Sequence, residues 1–317
     1  MSNPKAPLAV AFSIDRIAPV FSGFEAYYAA HIQPKLAALE PRRRKLVRDC
    51  AVIVATALLA AISIGYAVLT LFHSAVGVFA VLFVALMIAV LGLNWRMEDD
   101  YAAANDALVG GIARFLKLEH RSDLKRPRSL ETAKKYGLVP RYDAVECGDV
   151  IEGEWANAAF SVSEVFLSRR RKSRKSDKTV FAGQLMRITR RVGVNPPVIL
   201  VKRRGLFAGR HPPFEDACRV HGLPAKLDRR FRVWSAAPDS GRQTAALLAP
   251  LAEKLQVAYG SHALAIGFSG NKVYIAIGNG HRLTPGSMLT PFTGRKRLRR
   301  AVVAFKQILD TVEWAAA

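Results

Sequence analysis

Three carboxylates, Glu152, Glu154 and Glu164, stand close together in a chain that is otherwise rich in cations. Carboxylates on neighbouring antiparallel strands can converge on a metal or divide general-acid and general-base work between them. They can also alternate toward water or pair with nearby arginines, the commoner fate of acidic residues on strands. The segment HPPFEDACRVH sets His211, Asp216, Cys218 and His221 within eleven positions and so gathers the residue types that bind zinc. Its spacing matches no zinc motif, and a proline-shaped surface loop with a short helix and a buried cysteine accounts for the same residues. No metal ligand, cofactor or catalytic residue is assigned.

The phosphate loop G-x-x-x-x-G-K-[ST], the fingerprint G-x-G-x-x-G, H-E-x-x-H and G-x-S-x-G are all missing from the sequence. The commonest nucleotide, metal and serine-hydrolase chemistries are thereby disfavoured. Cys50, Cys147 and Cys218 are widely separated, which suits neither a disulfide framework nor a C-x-x-C site and agrees with a reducing compartment.

Charge carries the clearest binding signal. The formal net charge is +22 and the isoelectric point near 10.4, so an anionic partner is expected: acidic lipid, an acidic protein or nucleic acid. The base composition expected of a GC-rich bacterial genome is the alternative cause for part of the same excess. Ser168 to Lys178 carries seven cations between two predicted strands and reads as a long hairpin tip, with Arg169, Arg170, Arg171, Lys172, Arg174 and Lys175 as candidate contacts to anionic headgroups. Arg295, Lys296, Arg297, Arg299 and Arg300 crowd the start of the last predicted helix, where the dipole already places positive charge. Each cation there is unfavourable by a few tenths of a kcal/mol, and an anion would offset the repulsion. Beneath a cytoplasmic leaflet each Lys or Arg gains about 1 kcal/mol from acidic lipid. A solvated basic surface that aids solubility is the plainer alternative. Nucleic acid is the weaker partner, because no recognition motif or interleaving of aromatic and basic residues is present.

The elements that must position these residues begin with two uncharged runs. Residues 51–72 read AVIVATALLAAISIGYAVLTLF and residues 75–93 read AVGVFAVLFVALMIAVLGL. Each is long enough to cross about 30 Å of hydrocarbon. The Leu, Ile, Val and Phe of the first run contribute about −4 to −6 kcal/mol of insertion energy. Only His73 and Ser74 separate the runs, so they are expected to form a tight antiparallel transmembrane hairpin. Arg42, Arg43, Arg44, Lys45 and Arg48 precede it and Trp95 and Arg96 follow it, as membrane-interface residues. The positive-inside rule then puts both termini in the cytosol. No secretory signal is expected, and the absence of ionisable residues from both runs argues against a transporter or channel built from one copy.

Residues 1–20 are expected to be disordered. Within 21–48, Phe21, Phe24, Tyr28, Ile32, Leu36 and Leu39 recur at helical steps, predicting an amphipathic juxtamembrane helix interrupted by Pro34 or restarting there. Residues 49–95 form the hairpin and 96–148 a helical stalk and connector, in which Ser129 caps a short helix through Tyr136 with Gly137 just past its end. Residues 149–317 carry predicted strands at 149–155, 158–167, 179–189, 197–202, 231–235, 263–268 and 272–277. Ser269, Gly270 and Asn271 are read as the turn of a hairpin joining the last two. Helices are predicted from Pro250, at a first turn, to Val257 and from Arg295 to Trp314. The fold class is therefore α+β: a helix and transmembrane hairpin, then a cytosolic domain with a mainly antiparallel sheet and flanking helices.

The residues Phe24, Tyr28, Ile32, Leu39 and Glu40 before the two spans, the segment Asp149-Val-Ile-Glu-Gly-Glu-Trp155 with Phe160 and Glu164 after it, Val180-Phe181-x-Gly183, and Phe231-Arg-Val-Trp-Ser235 followed by Leu247-Leu-x-Pro250 resemble a family of bacterial two-span inner-membrane proteins known only as a domain of unknown function. The likeness runs from about Phe21 to Ile277. It implies topology and fold class, and no activity. The basic stretches after Leu167 and before the last helix depart from the family pattern. The expected function is a membrane-anchored, non-enzymatic interaction or regulatory module at the bacterial inner membrane, with a membrane-associated enzyme using the acidic residues or the His211 to His221 loop as the alternative, and a membrane-tethered nucleic-acid-binding protein as a further one.

Overall fold

Ala156 and Asn157 both adopt left-handed backbone, with φ of 52° and 58°, and so make the two-residue turn that matches the twist of paired strands. In the computed structural model this turn joins β2 (Ala144–Trp155) to β3 (Ala158–Arg169), each 12 residues long. The structure describes residues 14, 17–72, 100–122, 124, 126–170, 177–203, 212–260, 262–280, 283, 286–287 and 289–317. The chain divides into two units. One takes in the chain up to Phe21, Ile112–Pro285 and Arg300–Ala317; the other takes in Ser22–Gly111 and Gly286–Arg299.

The first unit is α+β, with antiparallel pairing throughout its described sheet. Beyond the hairpin its strands are β1 (Glu119–Arg121), β4 (Lys178–Lys202), β5 (Cys218–Arg219), β6 (Phe231–Ser235) and β7 (Ala263–Gly278). Their order is β1-β2-β3-β4-β6-β5, and β7 lies along the other edge of β4. The separately predicted strands 179–189 and 197–202 are thus one strand of 25 residues.

The expected hairpin at Ser269, Gly270 and Asn271 is not formed. Instead β7 runs straight through and pairs with β4 from Gln184↔Ile277 to Val201↔Ala265. Between Thr189↔Lys272 and Val194↔Gly270 the β4 side holds more residues than the β7 side, which is a bulge. Gly270, at φ +56°, serves that irregularity rather than a chain reversal. Long-range pairing to β4 has overridden the local turn chemistry.

Alternation along β4 divides the core into two layers. Ile199 and Val201 share one cluster with Val165, Leu167, Phe181, Leu185 and Trp234, and with Leu130 and Ala133 of helix α4 (Arg128–Lys135). Val198 and Leu200 are buried on the opposite face, where Ser235, the partner of Val198, meets helix α6 (Pro238–Tyr259) at Gly241. The predicted start at Pro250 is therefore corrected: the helix begins at Pro238, already suited to a first turn, and Pro250 lies inside it. Helix α5 (Ala225–Arg230) leads into β6, and α7 (Arg295–Ala316) closes the chain. Tyr259 of α6 and Thr311 of α7 are hydrogen-bonded at 2.9 Å, and the Lys254 ammonium lies over the Trp314 ring. The end of α4 follows the expected pattern, with Gly137 at φ +60° and Leu138 N–H bonded to Ala133 O. Its start does not: Ser129 falls inside the helix, Pro127 precedes it, and the Ser129 hydroxyl makes no cap.

In the second unit, α1 (Phe24–Tyr27), a wide π-turn (Tyr28–Ile32) and α2 (Gln33–Phe72) follow without interruption. The chain does not break at Pro34. The wide turn sits where the proline ring and its missing N–H would disrupt an ordinary helix. Phe24, Ile32 and Leu36 are buried along one stripe. With 40 residues, α2 is about 60 Å long, so the predicted juxtamembrane helix and first apolar run are one element. Residues 100–105 are helical and continue through a second π-turn (Asp106–Gly110) into α3 (Gly111–Phe115). Gly111 packs so closely on Ile32 that a Cβ there would lie 2.6 Å from two of its side-chain carbons.

Candidate membrane-interface site

Among the described residues, one helix is long and apolar enough to cross a membrane: an 18-residue window within 19–64 has mean hydropathy 2.0 and is 11% buried. Along it Leu59, Ile62 and Tyr66 are 65%, 60% and 70% exposed, whereas Cys50 and Ala61 are buried. The second apolar run, with Trp95 and Arg96, lies outside the described residues, so the structure describes one such helix and not a two-span hairpin.

The base of this helix separates its cations into two sets. Arg42, Arg44, Lys45 and Arg48 are exposed. Arg43 is buried instead, with Nε and Nη2 donating to Glu40 Oε1 at 3.0 and 2.6 Å. Glu40 Oε2 accepts the backbone N–H of Phe292 at 3.0 Å. Burial pushes the Glu40 carboxyl up, but the Arg43 and Phe292 hydrogen bonds and the charges of Arg43 and Arg44 together hold it below the ordinary carboxylate range. Helix α2 also contributes Gln33, Ala37 and Pro41 to a groove of about 690 Å³ whose rim holds Arg44, Lys45 and Arg48.

Arg297 likewise leaves the predicted headgroup-facing set. It is 4% exposed, its guanidinium lies 5.0 Å from the Phe292 ring centroid and 5.4 Å from that of Tyr101, and Nη2 donates to Ser287 O at 2.8 Å. Tyr101 donates its hydroxyl to Gly286 O at 2.8 Å, fixing the ring under the cation. Charge at the start of a helix did not reveal that one of its five cations points inward. Arg295, Lys296, Arg299 and Arg300 are exposed, as are Arg169 and Arg170 at the end of β3. Arg171, Lys172, Arg174 and Lys175 lie outside the described residues.

The acidic residues do not converge. Glu152 pairs with Ser161, so Glu152 and Glu154 share the sheet face of Ser161 and Ser163, while Glu164 projects from the other. Glu164 is 1% exposed and accepts the backbone N–H of Leu283 at 2.6 Å. It anchors a loop. His211 lies outside the described residues, whereas Asp216, Cys218 and His221 are exposed, and Cys218 sits on the short strand β5 rather than as a buried residue of a helix. Among the described residues no three His, Cys, Asp or Glu side chains are placed to hold a metal. Sequence reading passed over one buried ionisable contact, His120 Nε2 to Asp149 Oδ1 at 2.8 Å. Strand pairing of β1 with β2 creates it across 29 positions, and no spacing motif announces it.

No protein-family model and no curated protein sequence matches the chain. The chain is similar to the crystal structure of the mycobacterial trehalose monomycolate transport factor A at 13% identity, over 68% of this chain and 97% of that one, with a TM-score of 0.37.

Proposed function

We propose that this is a bacterial inner-membrane protein that serves as a non-enzymatic interaction or regulatory module, holding a basic α+β domain at the cytoplasmic surface. The observation that carries the reading is the outward-facing apolar surface of α2 directly after the exposed cations Arg42, Arg44, Lys45 and Arg48. In lipid, that order buries the apolar surface and leaves the cations at the headgroups. In the reading, α2 is the first of two spans, residues 75–93 are the second, and both termini are cytoplasmic, as in the two-span family that the sequence resembles.

The exposed cations Arg169, Arg170, Arg295, Lys296, Arg299 and Arg300, together with the basic stretch that follows Arg170, are assigned to anionic phospholipid headgroups. Separation of Glu152 and Glu154 from Glu164 onto opposite sheet faces removes the acidic constellation on which an enzymatic reading leaned. The test is twofold. Full-length protein should resist carbonate extraction, and a C-terminal reporter active only in the cytosol should light up. Release by carbonate, or a reporter active only outside, would sink the reading.

A further inference from the structure

Four cations meet where β4 ends and β6 begins. The register Lys202↔Phe231 and the 2.8 Å bond from Arg203 N to Arg230 O set Lys202-Arg203 beside Arg229-Arg230. With Gln256 and Val257 of α6 they line a pocket of about 460 Å³. Asp228 offsets Arg203 through a 2.7 Å contact. The Lys202 ammonium donates to Gly260 O and His262 O, each at 3.0 Å, which uses two of its three protons and leaves its charge in place. Burial and the charge of Arg230 both push the Lys202 pKa down, as expected of a cation crowded by another without a counter-ion. Arg229 and Arg230 are exposed and carry no carboxylate partner among the described residues.

Gln256, one of the lining residues, also carries an acceptor. Gln256 donates its amide N–H to Gly260 O, which fixes the orientation of the side chain, and its Oε1 is then buried with no partner. A buried acceptor without a donor is costly, and a ligand hydroxyl would satisfy it. The complement of this pocket is an oxyanion beside a hydroxyl. We propose that it is a binding site for a hydroxylated phosphate ester of the glycerol phosphate type. Arginines suit the phosphoryl oxygens because their planar donors match that geometry. Two sources share the chemistry: a free ester and the headgroup of phosphatidylglycerol.

The test uses full-length protein in neutral detergent at low ionic strength, titrated calorimetrically with glycerol 3-phosphate, inorganic phosphate and sulfate. Glycerol 3-phosphate is expected to bind more tightly than the other two. The exposed-site double substitution Arg229→Gln/Arg230→Gln should weaken both phosphates at least tenfold at unchanged melting temperature. Gln256→Leu should bring glycerol 3-phosphate down to the level of inorganic phosphate and leave inorganic phosphate unaffected. Competition by micelles doped with phosphatidylglycerol, and not by phosphatidylcholine, would support the site with the lipid as its ligand; equal titration in both would support it with the free ester. Absence of saturable phosphate binding, equal affinity for glycerol 3-phosphate and inorganic phosphate, or an unaffected double variant would each overturn the proposal. Membrane extraction is read separately, so this outcome is independent of the anchoring function.

Discussion

Glu40 accepts the backbone N–H of Phe292 at 3.0 Å across 252 positions of sequence, while its other oxygen holds Arg43. One carboxylate thus ties the base of the long apolar helix to the segment just before the last helix. With side chains 10% and 8% exposed, the Glu40–Arg43 pair is costly to break from one side, because a buried guanidinium loses the charge that Glu40 supplies. Glu40→Gln should lower unfolding stability by about 3 kcal/mol at neutral pH. The pH dependence has a definite sign. Because the folded-state pKa of Glu40 is depressed, its contribution is present above the unfolded value, 4.5, and is lost as pH falls through the lower folded value. Thermal unfolding of the two proteins between pH 7 and pH 3 should show a gap that narrows at the acid end. A gap independent of pH would assign the effect to packing alone.

Arg297 and Arg299 should separate stability from surface charge. Arg297→Ala removes a cation stacked between Phe292 and Tyr101 and its bond to Ser287 O, for a loss of about 1 to 2 kcal/mol. Arg299→Ala/Arg300→Ala removes two exposed charges and should stay within about 0.5 kcal/mol of wild type while weakening binding to anionic vesicles. Melting temperature and vesicle co-sedimentation, measured on both variants, check the division. The reverse pattern would show that Arg297 is the lipid contact after all.

These two arginines also mark where reading the sequence runs out. Local signals were legible: the strand ends on either side of Ala156-Asn157, the end of the α4 helix at Gly137 and the apolar run of α2 all depend on neighbours in sequence. Long-range choices were not. Ser269-Gly270-Asn271 has the chemistry of a hairpin turn and of a bulge alike, and only pairing with β4 decides between them. Pro34 has the chemistry of a helix break, yet a wide turn before it lets the helix continue. The His120–Asp149 contact and the four-cation pocket each come from strand register, which joins residues that no spacing rule connects.

Gly183 pairs with Val165 on β3, and a Cβ at its position would sit 1.9 Å from Ile277 O. The obstacle is backbone, so no rotamer change relieves it. Gly183→Ala should force β7 away from β4 and cost about 2 kcal/mol or more, by the usual penalty for overfilling a core. Val192→Thr, at a side chain 70% exposed, should change stability by less than about 0.5 kcal/mol. Denaturant unfolding of both tests the contrast. An unperturbed Gly183→Ala would mean that the β4 and β7 backbones do not approach as described.

The cysteines should differ in reactivity. Burial pushes the Cys147 thiol up to about 11, against a weaker opposing pull from Arg126. At pH 8 only about 0.1% of it is then thiolate, the form that attacks an alkylating agent. Cys218 is exposed on β5. Iodoacetamide at pH 8 should therefore label Cys218 well before Cys147, as read by mass spectrometry of the intact and then the denatured protein. Denaturation should equalise the two, because the shift at Cys147 comes from the fold. Rapid labelling of Cys147 in the folded protein would instead place it in an accessible or cation-stabilised setting, contrary to its partly buried position against Val165 and Leu167.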